Sequence, residues 1–470
     1  MSSKLLRQIP KTDVILSREA LKAAQERYPY AFVKATVQAC LDELRRKALE
    51  DSIDSIPGLA EIEETVLRWL EEGHIHHLKR VINATGVVLH TNLGRAPLGE
   101  AAAAHVAALS RGYCNLEYDL EKGRRGSRYD HVEKLLCELT GAEAAMVVNN
   151  NAGAVFLMLN TLARGKKVAV SRGELVEIGG SFRVPEIMYE SGAEMVEIGC
   201  TNKTHVRDYE RAMDELGAEV LLKVYTSNFV ISGFTESVSA GELAQIAHKR
   251  GGIVLHDQGS GFLFPPEAMG LHAGSVVWTS LREGADVVSF SGDKLLGSAQ
   301  CGVILGKKEY VERIKKNQLT RMLRIDKLSL AALEIALQYC RDPKLAREKI
   351  PALAMLSKTE EACRETAERL RWLIAERAPD CEVRVVPVKD EAGGGSMAGV
   401  LLDGAAVAVQ IPGLAPEKAE ALLHGMSVPV IARVSRDGLL FSARTLFEEE
   451  LEEVAEAVRT LYVSAAGRRV

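Results

Sequence analysis

The pattern of apolar and polar positions changes at Val81. Before this residue, apolar positions recur at helical spacing, whereas after it short apolar runs alternate with helical stretches. Near-continuous runs of Val, Ile and Leu separated by helices are typical of a mostly parallel sheet covered on both faces. The sequence therefore predicts a large α/β domain. Its strand-length runs lie at 144–148, 167–170, 194–198, 220–225, 252–256, 286–290 and 302–306.

Helical spacing dominates the first eighty residues. One helix is predicted to begin after Ser17 as its N-cap and to end before Pro29, and a second covers 30–48 with its apolar residues on one stripe. A third helix over 59–80 ends with His74, His76 and His77. Three histidines without further ligands favour a solvated helix end over a metal site, so we expect no bound metal.

Breaks in the pattern give the domain boundaries. Pro57-Gly58 ends a small helical N-terminal domain, residues 1–58. The helix over 59–80 is predicted to link it to the large α/β domain, residues 81–327. Helices rich in Ala, Leu and Glu, followed by four strands and a closing helix, predict an α+β C-terminal domain over 328–470.

The composition is that of a globular protein. The chain has 470 residues, 47% of them hydrophobic, which suffices for the cores of two or three domains. No apolar run reaches eighteen residues, and the first residues lack the features of a secretory signal. The eight cysteines contain no Cys-x-x-Cys pair, which argues against a zinc knuckle or a disulfide framework. We therefore expect a cytoplasmic protein with reduced thiols and no membrane segment.

Charge is distributed unevenly along the chain. The formal net charge is −5, yet residues 1–50 carry ten Lys or Arg against six acids. A net negative charge argues against a uniformly cationic nucleic-acid binder but allows a local basic module. A solvated helical face and a nucleic-acid contact explain this bias equally well.

Two charged residues follow apolar strands of the predicted sheet. Asp257 ends the 252–256 run, and Lys294 lies in a small Ser/Gly-rich turn after the 286–290 run. Carboxyl ends of parallel strands gather ligands. A lysine can hold pyridoxal 5′-phosphate (PLP) as a Schiff base, and an acid can keep its pyridine nitrogen protonated. Each residue alone could be a turn cap or a solvated lysine, so the PLP site is predicted from the ordered set.

Further residues near these strand ends could complete the site. Asn151, Ala152 and Gly153 open a helix after the 144–148 run, where backbone N–H groups can hold the cofactor phosphate, although an Asn/Gly turn with an N-cap has the same sequence. Ser291 is small and polar enough to contact that phosphate. Asp293 could tune the pKa of the neighbouring lysine or cap a turn.

Three arginines are candidates for binding a second anion. Arg321 and Arg324 are three residues apart, which would place both guanidinium groups on one helix face, and Arg95 follows a glycine turn. Spacing alone does not separate an anion ligand from surface acids as the partners of these charges.

Long motifs of this chain resemble those of bacterial selenocysteine synthases, the L-seryl-tRNA(Sec) selenium transferase family. They occur in the same order over essentially the whole chain, at 81–95, 115–119, 148–152, 171–180, 226–229 and 289–297. The resemblance implies a fold-type-I PLP-dependent transferase, aspartate aminotransferase-like, with a small helical N-terminal domain that contacts the tRNA. It also implies a homo-oligomer, a ring of dimers that forms a decamer.

The resemblance also assigns roles to the candidate residues. Lys294 is the PLP lysine, and Arg95, Arg321 and Arg324 match positions that bind the anionic selenium donor, selenophosphate. The implied reaction converts seryl-tRNA(Sec) to selenocysteyl-tRNA(Sec). Lys294 removes the α-proton while Asp257 supports the ring, β-elimination of water leaves an aminoacrylyl-tRNA, and selenium then adds.

Two other functions compete with this one. A related PLP-dependent lyase acting on a free amino acid or an amino sugar acid could share the large domain, but it would not need residues 1–70. A catalytically silent RNA-binding scaffold would be expected to have lost Lys294 or Asp257, and both are present.

Overall fold

The computed structural model describes residues 6, 8–49, 53, 55–72, 78–180, 182–271, 276–426, 428–436 and 438–466. The chain divides into two compact units, Met1–Arg80 and Val81–Val470. His74, His76 and His77 lie outside the described residues. No helix in the described ranges is both long and apolar enough to cross a membrane.

The first unit is helical. Its helices are α1 (Thr12–Leu16), α2 (Glu19–Arg27), α3 (Tyr30–Leu49) and α4 (Leu59–Glu72). All four helices contribute to one apolar core. The helix predicted to link two domains, α4, thus packs its apolar stripe into this unit.

The start of α2 differs from the prediction. Ser17 is the C-cap of α1, and its hydroxyl donates to the Val14 carbonyl at 2.8 Å. Arg18 is therefore the N-cap of α2. The prediction that Ser17 caps α2 is therefore wrong. Five residues of α1 are too few to produce a helical period in the sequence.

The second unit contains all the described strands. They are β1 (Ile82–Asn83), β2 (Tyr118–Asp119), β3 (Arg124–Arg125), β4 (Ala144–Val148), β5 (Lys167–Ser171), β6 (Glu177–Ile178), β7 (Phe182–Arg183), β8 (Glu194–Ile198), β9 (Val220–Val224), β10 (Ile253–Gly259), β11 (Val287–Ser291), β12 (Gly302–Gly306), β13 (Glu382–Glu391), β14 (Leu401–Gln410), β15 (Val430–Ile431), β16 (Arg433–Ser435) and β17 (Gly438–Ser442).

Helices of the second unit alternate with these strands. They are α5 (Glu100–Ser110), α6 (Asp130–Thr140), α7 (Asn151–Leu162), α8 (Val184–Ser191), α9 (Val206–Asp214), α10 (Ala240–His248), α11 (Val277–Arg282), α12 (Lys308–Lys315), α13 (Lys327–Tyr339), α14 (Pro343–Lys349), α15 (Pro351–Leu356), α16 (Glu360–Arg377), α17 (Pro416–His424) and α18 (Glu450–Ala466).

The central sheet has seven strands in the order β4-β12-β11-β10-β9-β5-β8. Each of the seven predicted runs is one of these strands, and only β12 runs antiparallel to its neighbours. Alternate residues of each strand face two different apolar cores: Val147 joins one and Met146 the other. Burial on both faces explains why the strands read as continuous apolar runs.

A smaller antiparallel sheet follows, in the order β13-β14-β17-β16. Its apolar face packs with α16 and α18 around a separate core that contains Val407, Leu370 and Val454. The strand predicted near 428–434 is divided into β15 and β16, and β15 pairs in parallel with β1. The α+β character predicted for the last part of the chain is present.

Candidate active site

Lys294 lies in the loop that joins β11 to β12. The loop is closed by backbone hydrogen bonds, one from the Gly292 N–H to the Cys301 carbonyl (2.9 Å) and one from the Leu295 N–H to the Ser260 carbonyl (3.0 Å). Only 5% of Lys294 is exposed. Burial lowers the pKa of its ammonium, although the charge of Asp257 opposes this shift. A buried amine with a lowered pKa is suited to act as a nucleophile or base.

Asp257 lies on β10, the strand next to the one that leads to Lys294. It is 4% exposed, and the Asn151 side-chain amide donates to its Oδ1 at 2.9 Å. Burial raises the pKa of Asp257, while the Asn151 hydrogen bond and the charge of Lys294 act in the opposite direction. The pairing register shifts between Asp257 and Gly259, so a β-bulge ends the strand at this carboxylate.

The start of α7 is capped by a residue that the sequence analysis did not select. Asn150 is the N-cap, and its Oδ1 accepts from the Gly153 N–H at 2.7 Å. The Gly153 amide is therefore already paired. Ala152 follows Asn151 in the first turn, and the side chain of Asn151 extends to Asp257. A β-carbon at Gly153 would lie 2.9 Å from Leu323 Cδ2, so a larger residue there would require the Leu323 side chain to shift.

Ser291 and Asp293 flank the lysine loop. Ser291 is the last residue of β11 and is buried. Asp293 is also buried, and its Oδ2 lies 2.8 Å from Arg95 Nη1. Of the two roles left open for Asp293, neither includes this ion pair. Burial dominates the lowered pKa of Lys294, which Arg95 lowers further and Asp293 raises.

Arg95 is held in an unusual backbone conformation. Its φ is 62°, and it follows Gly94 with φ 87° at the end of a short 3₁₀ helix, Thr91–Leu93. Left-handed conformations are uncommon for residues other than glycine and often mark functional sites. The result is a guanidinium group that points at Asp293 beside the lysine loop.

The other two arginines do not share a helix face, so that prediction is wrong. Arg321 is the exposed last residue of a 3₁₀ helix, Gln318–Arg321, and Arg324 lies beyond it in an extended segment bridged to Val148. The reason is that the chain pairs with the end of β4: the Asn149 N–H donates to the Leu323 carbonyl at 2.9 Å. Arg324 Nη1 lies 3.6 Å from Glu117 Oε1.

The structure thus forms two groups from the predicted residues. Asn151, Asp257 and Lys294 form the first, together with the Arg95–Asp293 pair. Arg324 forms the second with Glu117, which also binds the buried Arg128 at 2.7 Å. Sequence analysis missed Glu117 and Arg128, although Glu117 lies inside one of the recognised motifs, at 115–119. Cys301 is fully buried and burial raises its thiol pKa, so it is a structural thiol.

The first group fits PLP. Lys294 supplies a buried amine, and Asp257 supplies a buried carboxylate one strand away. Asn151 Oδ1 is a buried acceptor without a hydrogen-bond partner among the described residues. Buried polar atoms are normally paired, and unpaired ones at a strand end are what a polar cofactor would satisfy.

Comparison with known proteins identifies the family. The family model "L-seryl-tRNA selenium transferase" matches residues 81–447, and a model of the selenocysteine synthase N terminus matches residues 6–45. This chain belongs to the L-seryl-tRNA selenium transferase family. The predicted family resemblance is confirmed, and with the fit of Lys294, Asp257 and Asn151 it identifies PLP as the cofactor.

Curated relatives match nearly the whole chain. The L-seryl-tRNA(Sec) selenium transferase of Clostridium botulinum (strain 657) is 45% identical over 97% of this chain and 99% of its own. Those of Geobacter sulfurreducens and Aquifex aeolicus are 45% and 43% identical, each over 97% of this chain and 98% and 99% of their own.

A solved structure shares the fold. The structure of D-glucosaminate-6-phosphate ammonia-lyase superposes with a TM-score of 0.57 and 20% identity, covering 85% of this chain and 99% of that one. The predicted fold class, a fold-type-I α/β enzyme, is confirmed. An identity this low concerns the fold alone.

Proposed function

We propose that this protein converts seryl-tRNA(Sec) to selenocysteyl-tRNA(Sec), with selenophosphate as the selenium donor. The observation that carries the proposal is the buried Lys294–Asp257 pair, completed by Asn151, in a chain that matches this family over nearly its whole length. Because the substrate is a tRNA, we place the enzyme in the cytoplasm. Bound PLP supplies an electron sink that stabilises negative charge at the α-carbon of serine.

The chain's own residues then have distinct tasks. Lys294 anchors the cofactor and, once freed, its amine takes the proton from the serine α-carbon and later returns it. Asp257, oriented by the Asn151 amide, would hold the pyridine nitrogen of the bound cofactor protonated. Burial of both residues excludes water from the proton that is moved. Ser291 and the first turn of α7 are proposed to contact the cofactor phosphate, with Ala152 supplying a backbone N–H and Gly153 allowing a close approach, because the Gly153 N–H is already bonded to Asn150.

The arginines are proposed to bind the selenium donor. Arg95 is only partly neutralised, because Asp293 occupies one edge of its guanidinium group and about a fifth of its side chain remains exposed. Arg321 is exposed, and Arg324 stands 3.6 Å from its acid, a long ion pair. Guanidinium groups bind phosphate oxygens in pairs of hydrogen bonds, which suits a selenophosphate dianion.

The first unit is proposed to bind the tRNA backbone. Lys11, Lys22 and Lys34 are exposed and have no ion pair with another described residue, whereas Arg45 is paired with Asp42. Unpaired cations are available to phosphates. The match of residues 6–45 to the selenocysteine synthase N terminus supports this assignment.

We also propose a homo-oligomer, a ring of dimers that forms a decamer. Tyr113, Leu120 and Phe234 are large side chains left exposed on a single chain, which suits burial against other copies. Native mass spectrometry should give ten times the 51.2 kDa chain mass. A monomer at micromolar concentration would refute the ring.

The test of the activity uses purified full-length protein loaded with PLP. Serine-labelled seryl-tRNA(Sec) and selenophosphate should give selenocysteyl-tRNA, and free serine should give no turnover. Turnover of free serine at a comparable rate, with no product on tRNA, would instead favour a lyase acting on free amino acids.

The tRNA contact is tested by a matched pair of variants. Lys22→Ala removes an unpaired cation, and Arg45→Ala removes one already paired with Asp42. Lys22→Ala should weaken binding of seryl-tRNA(Sec) and reduce the slope of log affinity against log salt by about 1. Equal salt slopes in both variants and the unmodified protein would remove the first unit from the proposed interface.

A further inference from the structure

A cavity of about 520 Å³ lies at the carboxyl end of β9. Its size is within the range of about 300–1,000 Å³ that is typical of small-molecule pockets. Three chain segments line it: the turn at His90 and Thr91, residues 227–230, and the loop 391–401 between β13 and β14. His90, Thr91 and residues 227–229 lie within motifs of the family resemblance, whereas the loop 391–401 lies outside them.

Three buried polar atoms of this cavity are unpaired. Ser227 is 1% exposed and Ser396 is 3% exposed, and neither hydroxyl has a hydrogen-bond partner among the described residues. His90 Nδ1 is likewise unpaired in that part of the chain. Buried hydroxyls and imidazole nitrogens are normally satisfied, so three in one cavity indicate groups kept for a ligand.

A run of three glycines holds Ser396 in this position. Gly393, Gly394 and Gly395 have φ values of 72°, 62° and 66°, which other residues rarely adopt. The loop also approaches the main chain closely, because a β-carbon at Gly394 would lie 2.6 Å from the Leu89 carbonyl oxygen. The Ser396 N–H donates back to the Gly393 carbonyl at 3.0 Å. The loop is thus shaped by contacts with the body of the domain.

The cavity adjoins the Lys294 site on two sides. The His90 carbonyl accepts the Arg95 N–H at 3.1 Å, and Arg95 binds Asp293, the neighbour of Lys294. A β-carbon at Gly259, two residues after Asp257, would lie 3.8 Å from the Ser227 hydroxyl. A ligand in the cavity would therefore lie next to a substrate whose reacting carbon faces Lys294.

The charges of the cavity select against an anion. In the described chain its lining contains no Lys or Arg, and Glu391 brings a carboxylate. Hydroxyls and an imidazole can both donate and accept, which suits a neutral group rich in hydroxyls. The part of an aminoacyl-tRNA next to the reacting serine is its 3′-terminal ribose, whose free 2′-hydroxyl both donates and accepts.

We propose that this cavity binds the 3′-terminal ribose of the aminoacylated tRNA, with Ser396 and Ser227 hydrogen-bonded to the ribose next to the seryl ester. This inference rests on the proposed function, because it takes seryl-tRNA as the substrate. It adds a recognition site that sets the distance between the tRNA end and Lys294.

The experiment compares two hydrolysis-resistant probes on the PLP-loaded full-length protein. One is 3′-serylamido-3′-deoxyadenosine, and the other lacks the 2′-hydroxyl. Dissociation constants are measured by calorimetry for the unmodified protein, Ser396→Ala, Ser227→Ala and Ser396→Thr. The unmodified protein should bind the 2′-hydroxyl probe about 2-fold to 10-fold more tightly, the effect of one neutral hydrogen bond.

A double-mutant cycle separates a direct contact from a structural role. At least one of the two alanine variants should lose the preference for the 2′-hydroxyl, and Ser396→Thr should retain it. Ser191→Ala is the matched control, because Ser191 is fully buried but bonds to Met188 outside the cavity, and it should keep the preference. PLP absorbance is recorded for each variant so that cofactor loss is not mistaken for weaker probe binding.

Two results would overturn the inference. They are failure of the unmodified protein to discriminate the probes, including failure to bind either, and retention of the preference by both alanine variants. Turnover of seryl-tRNA by the unmodified protein is measured in parallel. A 2′-hydroxyl preference without turnover would support the ribose site and refute the proposed reaction, so the two failures are distinguishable.

Discussion

Two buried acids of the second unit, Asp390 and Asp257, each lie near a buried base. Their hydrogen-bond partners differ greatly. Around Asp390, two arginines and a serine fill the carboxylate: Arg433 at 2.8 Å, Arg444 at 3.2 Å and Ser442 at 3.0 Å. Around Asp257, the hydrogen-bond donors are neutral: the Asn151 amide at 2.9 Å, the Gly259 backbone and the Ser289 side chain. Both acids are almost fully buried.

The bases differ in the same way. Arg444 is about 1% exposed at its side chain and donates to the Met355, Lys358 and Asp403 carbonyls as well as to Asp390. Lys294 has a lowered pKa because burial is not fully compensated by Asp257. Buried charges are stable when paired and hydrogen-bonded, and they are reactive when they are not. The comparison indicates that the network at Asp390 stabilises the fold, whereas the groups around Lys294 are left for a ligand.

The largest effect is expected from Lys294→Ala. Loss of the amine should remove the visible absorption band of the bound cofactor. It should also lower turnover by about 100-fold to 10,000-fold, the usual contribution of a positioned base. The fold should persist, because Asp257 keeps its hydrogen bond from Asn151 when the lysine charge is removed. Absorbance, turnover and a thermal scan measure the three quantities.

Lys358→Ala is the control for that variant. Burial also lowers the pKa of Lys358, another partly buried lysine. However, Lys358 donates to the carbonyl of Ala443, just after β17 of the smaller sheet, at 2.8 Å. It should keep the cofactor band. If Lys294→Ala kept the band and Lys358→Ala lost it, the cofactor lysine would be wrongly assigned.

Breaking the structural network should instead affect stability. Arg444→Met leaves Asp390 buried with a lost partner, and removal of one member of a buried pair costs about 3–5 kcal/mol. Denaturant unfolding of the cofactor-free protein measures this free energy. The double variant Asp390→Asn/Arg444→Met should recover part of the loss. If Arg444→Met lowered the free energy of unfolding by less than the loss of an exposed ion pair does, the network would not be structural.

The pH dependence of stability sharpens the contrast at Lys294. Burial lowers the pKa of Lys294 below its usual 10.5, so protonation favours the unfolded chain and this group destabilises the fold at neutral pH. Its penalty fades as the pH rises through the lowered pKa towards 10.5. Lys294→Met should therefore stabilise the cofactor-free protein most at neutral pH, and the difference from the unmodified protein should shrink on raising the pH. An unchanging difference between pH 7 and 10.5 would contradict the lowered pKa.

Sequence patterns predicted the central sheet well because its strands are buried on both faces. Each apolar run of the sheet was identified, and Asp257 and Lys294 lie at neighbouring strand ends as expected. The pairings between side chains could not be predicted: Arg95 with Asp293, Asn151 with Asp257, and Arg324 with Glu117 all join residues more than one hundred positions apart.

Local signals also failed where tertiary contacts decide the backbone. Arg321 and Arg324 read as one helix, yet the pairing of Leu323 with Asn149 extends the chain there. The packing of the Gly393–Ser396 turn against Leu89 is likewise visible only in the folded domain. Such contacts depend on the register of distant segments, which a periodicity does not contain.

The smallest effect is expected at an exposed pair that completes the comparison. Glu456 and Arg459 lie three residues apart on α18, and their close contact holds the pKa of Glu456 below its usual value. Both side chains are about half exposed, so solvent screens the pair, and Glu456→Gln should leave the free energy of unfolding almost unchanged. High salt should reduce this small change further, whereas it should leave the cost of Arg444→Met nearly unchanged. A similar salt dependence in both variants would mean that burial does not separate the two kinds of ion pair, and the contrast drawn between Asp390 and Asp257 would lose its physical basis.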